Sequence, residues 1–205
     1  LMTNDGPLGE RWNFDKENRK SFSKKSLSEI PEPLIFKNDA RAVMARLEKH
    51  KIKTIGVADD NLLWPIDKTQ SLQLLGHFCE FGLSRFGLYQ DAMTANSEYQ
   101  WSLYHSRLSF SLNTKILHPM QVIQTAIQSF ENSNGEINLA QVEGFIRQIL
   151  GWREYVRGMY WSNMPDYSAA NSLDANRPLP SWFWSGNTKM NCINKSIQQT
   201  MTYSY

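Results

Sequence analysis

The run His105-Ser106-Arg107-Leu108-Ser109 sets two hydroxyls three residues apart around an arginine. With neighbouring backbone N–H groups, such a set can cradle a pyrophosphate, above all at a helix start. Serines also cap helices with no ligand involved, so the pattern alone leaves both readings open. A second cluster is Trp182-Phe183-Trp184, followed by Gly186, Thr188, Met190 and Cys192. Aromatic clusters usually build cores, but they can also stack bases or pass electrons to a redox cofactor. Cys192 reads either as a small buried hydrophobe or as one ligand of a metal cluster whose other ligands lie further along. Arg153 is a third candidate. It falls beside the apolar positions of a helix, and a buried guanidinium needs an anionic partner, either a structural carboxylate or a bound cofactor or substrate. There is no zinc-ligand spacing, P-loop, nucleophile elbow or dinucleotide fingerprint. The four histidines (50, 77, 105 and 118) are scattered.

These residues need a scaffold, and its strongest signal is one long helix over Asn138–Trp161 with glycines at 144, 151 and 158. Each glycine inside a helix costs roughly 1 kcal/mol relative to alanine, so a close neighbour is expected to offset the loss. With Gly144 at 0° and about 100° per residue, Gly151 falls near 340° and Gly158 near 320°. Gln148 and Tyr155 share that face. Val142, Phe145, Ile149, Val156 and Tyr160 form an apolar face between about 100° and 160°, while Trp152 lies near 80° and Arg153 near 180°. The glycine stripe is therefore expected to be a packing seam against a partner helix. Glu143/Arg147 and Glu154/Arg157 have the spacing of helix ion pairs, and Asn138 with Gln141 suits a capping box.

Other helices are predicted over 39–50, capped by Asn38 or Asp39; over 68–84, capped by Asp67 with Leu72, Leu75, Phe78 and Cys79 inward; and from Pro119 to about Phe130. A last helix follows the pattern Met190, Ile193, Ile197, Met201. Residues 1–36 read as an extended connector and 162–187 as an irregular loop. Lys53–Val57 is the one short strand candidate. The chain is thus expected to be mainly α.

Of the 205 residues, 41% are hydrophobic and 12% aromatic, which excludes disorder as the global description. The net charge of +2 is unevenly spread: residues 11–53 hold 12 Lys/Arg against 6 Asp/Glu. Such a segment can sit on phosphates or simply be a solvated charged face. Two distant cysteines suggest no disulfide framework and fit a reducing compartment, and no run approaches the ~20 apolar residues of a membrane span. Both ends of the sequence read as cut, which suggests a fragment.

In order along the chain, WNFDKENRK (12–20), FGLYQDAM (86–93), YHSRLSFSLN (104–113), EGFIRQILGWREYVRGMYW (143–161) and WFWSGNTKMNC (182–192) resemble the iron–sulfur bacterial branch of the cryptochrome/photolyase family. This branch includes photolyase-related proteins and prokaryotic (6-4) photolyases. The resemblance implies an α/β antenna domain, a linker and an all-helical FAD domain. Here 1–36 would be the end of the linker and 37–205 the first half of the FAD domain. By resemblance, His105, Ser106, Arg107, Leu108 and Ser109 lie at the FAD diphosphate and Tyr89 near the sugar end of the flavin. Trp152 and Arg153 line the cavity where a flipped lesion meets the flavin, and Gln148 shares that wall. The segment here carries one residue more than the family's, and His105 stands where the family has threonine. Trp184 belongs to an electron-transfer chain, Cys192 is the first of four [4Fe–4S] ligands, and Lys20, Lys24 and Lys25 approach the DNA backbone. The other three cysteines and a histidine pair would lie beyond Tyr205. A lumazine-type antenna would sit in the antenna domain.

The function this implies is repair of UV-damaged DNA, with (6-4) photoproducts as lesion, by a monomeric cytoplasmic flavoenzyme acting under blue light. The fragment alone is expected to be inactive. A cryptochrome-like photoreceptor and a cofactor-free helical DNA-binding module are the alternatives.

Overall fold

The structure, a computed structural model, describes residues 1–57 and 59–204. Ala58 and Tyr205, which fall inside the 37–205 segment read from the sequence, lie outside the described residues. The elements in chain order are β1 (Met2–Thr3), β2 (Gly6–Pro7), α1 (Lys24–Ser28), β3 (Asn38–Asp39), α2 (Arg41–Lys49), β4 (Asn61–Leu62), α3 (Lys68–His77), α4 (Phe86–Tyr89), α5 (Ser109–Asn113), α6 (Pro119–Asn132), α7 (Leu139–Ile146), α8 (Trp152–Asn163), α9 (Trp182–Ser185) and α10 (Asn191–Tyr203). π turns at Phe78–Gly82 and Arg147–Gly151 prolong α3 and join α7 to α8. The strands form two antiparallel two-residue ladders, β1 with β2 and β3 with β4. The chain is mainly α, as expected.

The chain divides into two compact units, residues 1–35 with 65–157, and residues 36–64 with 158–205. In the first, the sequence starts its helices as predicted. Asp67 caps α3 by accepting from the Gln70 N–H at 2.8 Å, Pro119 opens α6, and Asn138 caps α7 by accepting from the Gln141 N–H at 3.2 Å. The second half of the expected capping box is not made. The Gln141 amide instead donates to Asn18 Oδ1 (3.2 Å) and accepts from the Leu88 N–H (3.0 Å). Asn18, 2% exposed, also donates to the Ala140 carbonyl at 3.2 Å. Segment 12–20 is thereby pinned to α4 and α7, with further backbone bonds from Arg19 to Gly87 and from Lys20 to Leu88.

The core of this unit is the ring triad Phe78, Phe86 and Phe145, with centroids 4.7 to 5.9 Å apart, surrounded by Leu74, Leu75, Leu83, Val122, Ala126 and Val142. A second cluster stacks Tyr89 between Phe22 (4.6 Å) and Tyr104 (5.4 Å) beside Ile30 and Leu103.

In the second unit, buried Trp64 donates its indole N–H to the Tyr203 carbonyl (2.8 Å), and the Val57 N–H reaches the Met201 carbonyl (2.8 Å). Gly56, at φ 89°, lies where an added Cβ would stand 2.7 Å from that same Met201 oxygen. Gly186, in the left-handed conformation, ends α9.

Several expectations are corrected. Lys53–Val57 is not a strand; its edge meets a helix end instead of another strand. Leu72 is 38% exposed, because it lies on the outer side of α3 while Leu74 and Leu75 face the core. The N-cap of α2 is Ala40; Asp39 accepts from the Arg41 N–H and pairs with its guanidinium. The helix over 138–161 is broken in phase by the Arg147–Gly151 π turn. No residue of α8 is buried: Val156 is 60% exposed and Tyr160 53%, because the packing partners of α7 do not continue along α8. Of the glycine stripe, Gly144 alone forms a close seam, with Gly87 Cα 3.9 Å from its would-be Cβ. Gly151 meets only the Arg147 stem, and Gly158 has nothing within 4 Å among the described residues.

Candidate functional site

Two groups of candidates lie in the first unit. The first is the bend leading into α5. Leu103 (φ 48°) and Arg107 (φ 53°) both adopt the left-handed conformation, which costs a side-chain-bearing residue about 1 kcal/mol or more. The bend turns Arg107 inward. It is 3% exposed, donates to the Leu34 carbonyl at 2.8 Å and lies over the Trp101 ring at 5.1 Å. Leu108 is buried beneath it. Ser106 accepts from the Leu108 N–H at 3.5 Å, and Ser109 is exposed at the first position of α5. Burial pushes the pKa of His105 down, so it is neutral at pH 7 and can offer one N–H but no charge. His77, whose pKa is lowered by burial and then by the Arg107 charge, stands 3.1 Å from the Glu32 carbonyl. His77, His105, Ser106 and Arg107 border a cavity of about 20 Å³, room for one water. As a donor set for a diphosphate, the two serine hydroxyls suit the chemistry. The Arg107 guanidinium is directed to the interior, and Tyr89 is buried in its ring stack.

The second group surrounds the π turn. Gln148 lies within the turn, and Trp152 and Arg153 open α8; all three are exposed. Trp152 stands edge-on to Tyr155 at 5.9 Å. A π turn takes up one residue more than an α turn, so positions beyond it lag by about 100° relative to an unbroken helix. Trp152 thereby returns to about 340°, the side of Gly144, and Arg153 moves to about 80°, the side of Phe145. The buried guanidinium expected at Arg153 is not found. It reaches solvent and has no ion pair among the described residues.

The guanidinium held by carboxylates is that of Arg147, which is half-buried and stands at ion-pair spacing from Glu143. Its guanidinium donates to Asp15 Oδ1 at 2.7 Å and lies 3.1 Å from Glu143 Oε1. Nothing near Asp15 in sequence signals this contact, since its partner lies 132 residues away. The two carboxylates shift in opposite directions. The hydrogen bond from Arg147 holds the Asp15 carboxyl below its usual range, while burial pushes Glu143 up against the opposing pull of Arg147. Glu143 Oε2 and Gln90 Oε1 are buried without hydrogen-bond partners.

The signs follow from linkage. Asp15 contributes stability above its unfolded pKa of about 3.9, and this is lost as pH falls through its lowered native value. Glu143 binds its proton more tightly when folded, so its contribution weakens as pH rises from about 4.3 through its raised native value. Glu143→Gln is therefore expected to raise the unfolding temperature at pH 7. The advantage should shrink as pH falls towards 4, where Glu143 is protonated in both states. A lower unfolding temperature at pH 7 would show that the Glu143 charge is stabilising.

The remaining candidates are separate from these groups. Lys20, Lys24 and Lys25 are exposed in the first unit, without ion pairs among the described residues. Trp184 (62% exposed, in α9) and Cys192 (exposed, near the start of α10) belong to the second unit. No group of three or more His, Cys, Asp or Glu among the described residues could hold a metal ion. Cys192 is a free, exposed thiol. Cys79 is buried in the first unit, which raises its thiol pKa. No described helix is long and apolar enough to cross a membrane.

Residues 1–63 match the family described as deoxyribodipyrimidine photo-lyase-related protein. A (6-4) photolyase of Agrobacterium fabrum is 36% identical over 207 residues, spanning all of this chain and 39% of that protein. An uncharacterized protein of Acanthamoeba polyphaga mimivirus is 32% identical over 116 residues, 57% of this chain and 85% of that protein. The chain thus spans about two fifths of the photolyase it matches.

Proposed function

We infer that the chain belongs to the deoxyribodipyrimidine photo-lyase-related family, whose model matches residues 1–63, and that it serves a flavin-dependent, light-driven DNA photolyase with (6-4) photoproducts as its lesion. The observation that carries this reading is the 36% identity to a (6-4) photolyase, sustained across the whole chain. FAD, when bound, would supply the light-driven electron; orientation and electrostatics fall to the protein.

In this reading, the Ser106 and Ser109 hydroxyls and nearby backbone N–H groups hold the diphosphate, with neutral His105 as a further donor. Arg107 supports this bend from inside, through the Leu34 carbonyl, while Leu108 packs beneath and Tyr89 lies towards the sugar. Trp152 presents an aromatic face to a flipped base, Arg153 a cation to its carbonyl or phosphate oxygens, and Gln148 amide hydrogen bonds. Exposure of all three suits contact with a macromolecular substrate. Lys20, Lys24 and Lys25 neutralise phosphates with no bearing on sequence. Trp184 relays electrons. Cys192, a single exposed thiol, builds no cluster by itself.

The test uses the full-length protein. Its purified form is expected to show flavin absorbance and to remove (6-4) photoproducts from irradiated oligonucleotides in blue light but not in the dark. A flavin spectrum without lesion loss under reducing conditions would favour a photoreceptor, and no flavin would leave a DNA-binding helical module. Trp184→Phe is expected to slow flavin photoreduction, because it removes one relay from the path by which electrons reach the cofactor. An unchanged rate removes Trp184 from the path.

A further inference from the structure

We propose that Asp15 and Arg147 form a brace that holds the Arg147–Gly151 π turn in place and so fixes the directions in which Gln148, Trp152 and Arg153 project. The inference rests on the function proposed above for what those three residues contact, but the brace itself stands on geometry. Arg147 is the first residue of the π turn. Its bond to Asp15 is the short contact of the cluster, 2.7 Å, whereas Nε, 3.1 Å from Glu143, is not aligned as a hydrogen bond. The Glu143 oxygen left bare shows that the guanidinium is oriented by Asp15 rather than by the neighbour on its own helix.

Asp15 is a fixed anchor because Phe14 before it and Asn18 three residues after it are buried. Phe14 is 6% exposed with Arg11 over its ring at 4.3 Å, and Asn18 is clamped to Ala140 and Gln141. Segment 12–20 thus grips the helix twice, at the first turn of α7 and at the start of the π turn. A π turn is a rare, locally unfavourable arrangement that recurs at functional sites. Here no residue of α8 is buried, so packing of α8 does not hold its phase. If the turn relaxed to α geometry with its extra residue kept, everything after it would rotate by about 100°. Asp15 and Arg147 are therefore positioning residues.

The test compares four variants of the full-length protein: Arg147→Gln, Asp15→Asn, deletion of Leu150, and deletion of Leu150 combined with Arg147→Gln. Deleting Leu150, which is 45% exposed, removes the extra residue, so the helix becomes regular α with Trp152 and Arg153 in their present phase. One readout is amide hydrogen exchange over 147–153; the other is binding to a (6-4)-containing duplex relative to undamaged duplex. Arg147→Gln and Asp15→Asn are each expected to speed exchange and to cut lesion preference about tenfold, the order of effect of withdrawing one aromatic side chain from a base it stacks on. Both readouts should return when Leu150 is also deleted. An ion pair serving stability alone would not be rescued by that deletion. Unchanged exchange in Arg147→Gln, or no rescue in the combined variant, overturns the brace. Altered and rescued exchange, with no lesion preference even in the unsubstituted protein, upholds the brace and overturns the functional reading.

Discussion

Gly87→Ala is expected to destabilise the chain by about 2–6 kcal/mol, combining overpacking of roughly 1–3 with a similar cost for buried polar groups left unpaired. A methyl at this position would stand 2.6 Å from Asn18 Nδ2 and 2.8 Å from its Cγ and Oδ1. The Asn18 amide cannot swing away cheaply, because it donates to the Ala140 carbonyl and accepts from Gln141, which in turn holds the Leu88 N–H. Moving it breaks the grip of segment 12–20 on α4 and α7. Urea unfolding reads the effect as a lower midpoint with little change in slope. Gly158→Ala is the matched control: with open space around it, the change should stabilise by about 0.5–1 kcal/mol. A loss below about 1 kcal/mol at Gly87 would mean that the close approach to Asn18 carries no cost.

Phe145→Ala is the second large effect, with an expected loss of about 3–5 kcal/mol. The ring is 1% exposed and lies 4.7 Å from Phe78 and 5.4 Å from Phe86, so its removal opens a cavity where α7, α4 and the Phe78–Gly82 turn meet. Phe145→Leu keeps most of the volume and is expected to cost under about 1.5 kcal/mol. Equal losses for the two substitutions would contradict a cavity origin. At Phe183, which is 45% exposed, the same change to alanine should fall within about 0.5 kcal/mol.

Local signals carried the helix starts well. Asp67, Pro119 and Asn138 act through N–H groups two or three residues away, so their roles are written in adjacent text. The apolar period of α7 was equally legible, and Val142 and Phe145 are buried as read. The same period continued past residue 147 gave a false core face for Val156 and Tyr160. A constant angular step holds only while the hydrogen-bonding register does, and the π turn breaks it. The glycine stripe failed for the same reason. Gly144 meets Gly87, while Gly151 and Gly158 leave that line.

Around the candidate site, residue types were visible and directions were not. Ser106, Arg107 and Ser109 stood out by spacing, but only the left-handed backbone at Arg107 turns its guanidinium inward to Leu34. Arg153 looked buried and is exposed, whereas Arg147, read only as a partner of Glu143, makes its short ion pair with the distant, half-buried Asp15.

By itself the sequence determined the helical class, the starts of α3, α6 and α7, and the resemblance to photolyase-related proteins, because capping, periodicity and motif content are properties of neighbours along the chain. The tertiary structure decided which charges meet, which glycine forms the seam and where Trp152 and Arg153 point. Those depend on contacts such as Asp15–Arg147 and Asn18–Gln141, which span 132 and 123 residues and leave no trace in local text.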